Sequence, residues 1–92
     1  MAKYFMYGKY SKEAVKGISA QRTKKALGII KAAGGRVSSM YALLGKYDMV
    51  LITDFPGLSQ VIKASMALQK LTGIAFTSFP AISIEEFDRI AK

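Results

Sequence analysis

Strand, helix, two strands, helix, strand and a short closing helix is the order legible in the sequence. That order predicts the α+β class: a ferredoxin-like βαββαβ sandwich with a short C-terminal helix. Three observations carry it. Runs rich in aromatic and β-branched residues are set off by Gly and Pro, and two long segments show helical periodicity. The chain also has 92 residues, 51% of them hydrophobic, which suits one domain over residues 1–92 with a modest core.

The first strand is "KYFMYGKY", residues 3–10. Ser11 is placed to cap a helix by accepting an early backbone N–H, with Glu13 in its positive first turn. This helix is expected to continue to about Ala33 and to stop at Gly34-Gly35, where a left-handed residue can close it. "RVSSMYALL", 36–44, and "YDMVLITDF", 47–55, follow as two strands joined by Gly45-Lys46, which reads as a two-residue type II′ turn. Pro56-Gly57 opens a second long helix that reaches Leu71 or Thr72 before Gly73. "IAFTSFPAI", 74–82, is the fourth strand, and Pro80 marks either an edge or a strand end. Ser83 and Glu86 form a capping box for a helix through Ile90.

The absent residue types exclude most chemistry. Without Cys or His there is no disulfide, thiolate, Ser/His pair, haem-ligating imidazole or nitrogen/sulfur metal site. The six carboxylates are not spaced as an oxygen-rich cation loop, so no metal and no cofactor is expected. The first ten residues lack the apolar centre of a secretion signal and no apolar run could span a bilayer, so the expectation is cytoplasmic, with no membrane partner. The net charge of +8, concentrated in Lys12 to Lys31, implies attraction to something acidic without saying what.

Pairing across Gly45-Lys46 puts Val37, Ser39, Tyr41, Leu43, Asp48, Val50, Ile52 and Asp54 on one sheet face. Ser38, Met40, Ala42, Leu44, Tyr47, Met49, Leu51 and Thr53 fall on the other. Both faces are mainly apolar, yet two helices cover only one of them. A second copy packed sheet on sheet would cover the other, giving a two-fold homodimer, or a higher oligomer, with a barrel-like core. The alternative is coverage by the C-terminal helix through Ile84, Phe87 and Ile90.

One polar residue stands in an apolar place. At about 100° per residue, Val15, Ile18, Ala26, Ile29, Ile30 and Ala33 form one stripe of the first helix, and Arg22 lies at its centre. A guanidinium turned inward must find an anion or several acceptors. Asp48 is the internal candidate, on the same expected face as Tyr41. Either Arg22 and Asp48 form a structural ion pair, or Arg22, Tyr41 and Asp48 line a small pocket for an anionic or carbonyl-bearing ligand. In the second helix, Ser65 and Gln69 fall on the stripe of Leu58, Val61 and Ile62, with Ala64 and Ala67 on the outer side.

The residues "KYFMYGKYS", Arg22, "GGRVSSMYALLGKYDMVLITDFP" and "AISIEEF" together resemble the GYD domain family, whose Gly, Tyr, Asp motif is here Gly45, Tyr47 and Asp48 with Lys46 after the Gly. The resemblance implies a dimeric α+β barrel and brings no catalytic residue set. Three functions follow for weighing. A homodimeric small-molecule binding or sensing protein built on Arg22 comes first. A dimeric-barrel enzyme, a cofactor-independent oxygenase or isomerase with Asp48 as base and Tyr41 or Tyr47 as donor, comes second, because a carboxylate held by an Arg is a poor base. A nucleic-acid module comes third: Phe5 and Tyr7 supply aromatics on the first strand, but "YDMVLITD" lacks those expected on the third.

Overall fold

A computed structural model describes all residues, 1–92. Its elements are β1 (Ala2–Tyr10), α1 (Lys12–Lys16), α2 (Ala20–Ala32), β2 (Arg36–Ala42), β3 (Met49–Phe55), α3 (Leu58–Thr72), β4 (Ile74–Ala81) and α4 (Ile84–Ile90). The four strands form one antiparallel sheet of order β2-β3-β1-β4, as a ferredoxin-like fold requires. No helix is long and apolar enough to cross a membrane.

Caps set the helix ends where the sequence signals them. Ser11 Oγ accepts from Ala14 N at 3.0 Å, Ser83 Oγ accepts from Glu86 N at 3.1 Å, and Gly34 and Gly73 take positive φ of 88° and 76°. The expected single first helix is instead two. Gly17 caps α1 and Ser19 caps α2, its Oγ accepting from Arg22 N at 3.0 Å. The apolar stripe is broken with it: Ile30 is buried, but Val15 and Ile18 are exposed, and Ala14 is the residue α1 buries.

Tyr4, Met6, Leu51, Thr53 and Phe55 of the central strands pack under Ile30 of α2 and Val61, Ala64 and Leu68 of α3. The buried Thr53 hydroxyl donates to Tyr4 O at 2.9 Å, so the core holds no unpaired side-chain polar atom. α3 is rotated from the expected stripe. Ala64 faces inward, while Leu58 and Ile62 are exposed beside Met66. Two apolar stripes compete on this helix, and the small side chain lets it approach the sheet.

The β2/β3 register follows the expected pairing from Ser39↔Ile52 to Ala42↔Met49, and a bulge at Ser38 then returns Val37 to the helix side, opposite Thr53. The two-residue turn is not formed. β2 ends at Ala42 and β3 starts at Met49, leaving a loop that Leu43 N closes on Asp48 O at 2.8 Å. Its cause is Asp48, whose N donates to Gly8 O at 2.8 Å and whose carboxylate is drawn to β1, so the tip cannot tighten around Gly45 and Lys46. α4 buries none of its residues: Ile84, Phe87 and Ile90 are 73%, 55% and 68% exposed, so it does not shield the sheet of its own chain.

Two glycines test the packing in opposite directions. A Cβ at Gly35 would collide with the Phe55 ring, whereas one at Gly28, in the exposed middle of α2, would meet nothing within 4 Å. Gly35→Ala is expected to destabilise the fold by about 1–3 kcal/mol as Phe55 shifts. Gly28→Ala is expected to stabilise it by about 0.5–1 kcal/mol. Urea denaturation of both variants reads the two signs.

Candidate functional site

Arg22 lies in the first turn of α2, and the break before that helix is what places it. Its side chain folds back to donate to the carbonyl of Ala14 in α1, and its guanidinium carbon stands 5.6 Å from the centroid of the Tyr10 ring. Gly17 makes room for this: a Cβ there would be 2.8 Å from Arg22 Nη1. Arg22 takes part in none of the three ion pairs of the chain, and its remaining guanidinium donors have no protein acceptor.

Asp48 is elsewhere. Its Oδ2 accepts from Tyr10 N at 2.8 Å and lies 3.8 Å from Lys9 Nζ. Arg22 and Asp48 therefore meet through Tyr10, one over its ring and the other on its backbone, without touching each other. The third residue singled out from the sequence, Tyr41, pairs with Val50 on the edge strand and is largely exposed. With Tyr10, Thr23 and Met40 it borders an open recess of about 270 Å³. The other two motif residues part company: Tyr47 packs on Tyr7 at 5.2 Å between ring centroids, whereas Gly45 sits in the loop with φ 142°.

Inward from that recess, a cleft of about 40 Å³ runs between α2, α3 and the sheet. Arg22, Thr23 and Tyr10 stand among its lining, and Ile30, Met40, Met49, Leu51, Leu68 and Phe76 make it otherwise apolar. Thr72 also borders it but is committed, donating to Leu68 O at 2.7 Å and accepting from Ile74 N at 3.1 Å. The closed volume admits a few waters. Met40 and Met49 are flexible enough to enlarge it for a small ligand. Sequence reasoning did not single out Tyr10 or Thr23. The signal for both was the pair Gly17 and Ser19, a stop followed by a cap, which resets the helix so that Arg22 faces back toward the end of β1.

The opposite sheet face has no helix over it. Phe5, Tyr7, Val50, Ile52 and Phe79 form its apolar centre, with Tyr7 and Phe79 edge to face at 5.8 Å. Charged rows frame that centre. Lys3, Asp54 and Arg36 adjoin across three strands at 3.3 and 3.5 Å, and Lys9 pairs with Asp48 at the other end. No group of three acidic, His or Cys residues could hold a metal ion.

A GYD domain family model matches residues 4–91, nearly the whole chain. None of the curated proteins is significantly similar in sequence. Among solved structures, the leucine response regulatory protein of Mycobacterium tuberculosis shares the fold with a TM-score of 0.58 and 10% identity, over 89% of this chain and 51% of that one. The crystal structure of a glutamate-to-alanine mutant does so with a TM-score of 0.58 and 11% identity, over 89% and 50%. The chain thus spans about half the length of each.

The Asp48 contact separates its charge from its acceptor role. Asp48→Ala leaves the Tyr10 N–H without its partner and is expected to cost about 1–3 kcal/mol, whereas Asp48→Asn keeps an oxygen there and costs less. Denaturation midpoints, with faster hydrogen exchange at the Tyr10 amide in the Ala variant alone, check this.

Proposed function

The chain belongs to the GYD domain family, and from that premise we propose that it is a homodimeric domain that binds or senses a small anionic or carbonyl-bearing molecule at Arg22. One observation carries the reading. A guanidinium stands over an aromatic ring at the mouth of an apolar cleft, with no carboxylate neutralising it. A charge so placed keeps donors free for an incoming oxygen, while the cleft behind accepts an apolar remainder. Thr23 and Tyr41, both at the recess, complete the polar mouth. Asp48 holds Tyr10 in place and is itself occupied, which favours binding over an enzymatic role with Asp48 as base. The regulator that shares the fold is named for a response to leucine, a small carboxylate-bearing molecule; at 10% identity that likeness carries the fold alone.

The homodimer rests on the open sheet face. An apolar centre within a charged frame is the anatomy of a protein interface. The exposed aromatics also resemble a base-stacking platform. However, aliphatic Val50 and Ile52 occupy the middle of the face, where stacking would need rings, and favour packing against a second sheet.

Native mass spectrometry of the purified chain against a panel of small carboxylates and phosphates tests the ligand. A bound species is expected for the wild type, and Arg22→Ala should weaken its binding about 10- to 150-fold. Absence of any retained or exchangeable ligand would sink the reading.

Light scattering tests the assembly. The wild type is expected at twice the chain mass with a Tm that rises with concentration, and Phe79→Asp should be monomeric. A wild type that stays monomeric at millimolar concentration refutes the dimer.

A further inference from the structure

We infer that α4 of one copy docks in the groove between α2 and β2 of a second copy and there forms a wall of the Arg22 cleft. The inference rests on the homodimer proposed above. A seven-residue helix has little stability of its own in water, and α4 finds no packing within its chain. Its exposed Ile84, Phe87 and Ile90 recur at helical spacing and form one apolar side. Its other residues include Glu85, Glu86 and Asp88, half of the carboxylates of a chain with net charge +8.

The groove that takes such a helix must be apolar along its floor and basic at its rim. Two grooves are candidates besides the recess at Tyr41, which is apolar but has no charged lining residue. The one between α3 and β4 is bordered by Leu58, Ile62, Met66 and Phe76 and has no charged lining residue. The one between α2 and β2, about 370 Å³, is bordered by Leu27, Ile30 and Val37 and has Lys31 and Arg36 in its lining. Lys31, which takes part in none of the ion pairs of the chain, selects the second by charge complementarity with α4, whose Glu85, Glu86 and Asp88 outnumber its one base, Arg89.

Topology makes the contact intermolecular. β4 and β2 are opposite edges of the sheet. The residues Ile82 and Ser83 that join β4 to α4 span about 7 Å. Three strand spacings cover about 14 Å. Thus α4 cannot be laid in the groove of its own chain. When two sheets pack face to face about a two-fold axis parallel to the strands, however, β4 of each copy lies over β2 of the other. Each α4 then leaves its sheet above the β2 edge of the other copy, where the groove, lined by Arg36 from the open face and by Val37 from the helix face, opens. The connector and the first turn of α4 together cross the about 10 Å between the sheets. Leu27 and Ile30 border both this groove and the Arg22 cleft, so the docked helix closes the cleft from one side.

The test uses the unaltered sequence. Heavy-nitrogen-labelled and unlabelled chains are unfolded together, refolded as mixed dimers and treated with a carbodiimide, which joins a Lys amine to a carboxylate with loss of water. Mass spectrometry is expected to find mixed-isotope peptide pairs linking Lys31 to Glu85, Glu86 or Asp88. Links from α4 to Lys63 or Lys70 of α3 instead, or links only within one chain, overturn the docking. A dimer by light scattering without the Lys31 link overturns this inference and leaves the dimer intact. A monomer overturns both.

Discussion

A four-stranded sheet that is apolar on both faces, with helices over only one, is the constraint from which the rest of this molecule follows. Burying the helix side supplies the fold: Met6, Leu51, Phe55, Ile30 and Leu68 are almost wholly removed from water. At about 25 cal/mol per Å² of apolar surface, leaving the second face wet forgoes part of the driving force its half-buried Phe5, Tyr7 and Ile52 and its exposed Phe79 could supply. The strands cannot become polar there without losing the association that this force would drive. The charged rows at the two ends of the face use side chains that remain satisfied in the single chain, Asp54 between Lys3 and Arg36, Asp48 beside Lys9. In the proposed dimer they would allow the centre to be apolar while discouraging misaligned pairing.

The helix break is the second consequence of a small core. Had residues 12–33 formed one helix, Arg22 would have been aimed at the sheet, and an unpartnered guanidinium there would cost several kcal/mol. Ending α1 at Gly17 supplies the Ala14 carbonyl as acceptor, and restarting at Ser19 brings the guanidinium over the Tyr10 ring. The charge is thus sheltered without being neutralised. That is a poor arrangement for stability alone and a good one for meeting an anion.

How much of this was legible in the sequence depends on the range of the interaction concerned. Element order apart from the break of the first helix at Gly17 to Ser19, the caps at Ser11 and Ser83, the closing glycines and the β2/β3 register from Ser39 to Ala42 were readable, because each is fixed by a few adjacent residues. The open form of the 43–48 loop was not, since it depends on Asp48 reaching Gly8 and Tyr10, about forty positions earlier in the chain, and a local turn signal cannot anticipate that competitor. The inward face of α3 escaped for another reason. Leu58, Ile62 and Met66 compete with Val61, Ala64 and Leu68, and hydropathy ranks the wrong stripe higher because alanine is small. Of the site, Arg22 announced itself by being polar in an apolar row. Its companions Tyr10 and Thr23 did not, because an aromatic ending a strand and a threonine in a helix are ordinary in both places.

The same geometry would tie the proposed ligand to the proposed partner copy. The cleft holds about 40 Å³, so a bound molecule of even a few heavy atoms must part α2 from β2 or turn Met40 and Met49 aside. Leu27 and Ile30 carry that movement directly into the neighbouring groove, which they also line. If α4 of a second copy occupies the groove, any ligand that reshapes it changes the free energy of docking. By linkage, docking then changes the affinity for ligand by the same factor. Neither site need be tight for this to matter. A coupling of about 1–3 kcal/mol, typical of adjoining sites, corresponds to about 5- to 150-fold in affinity. For a domain without Cys or His, such coupling would be a physically sufficient way to turn the capture of a small molecule into a change of assembly.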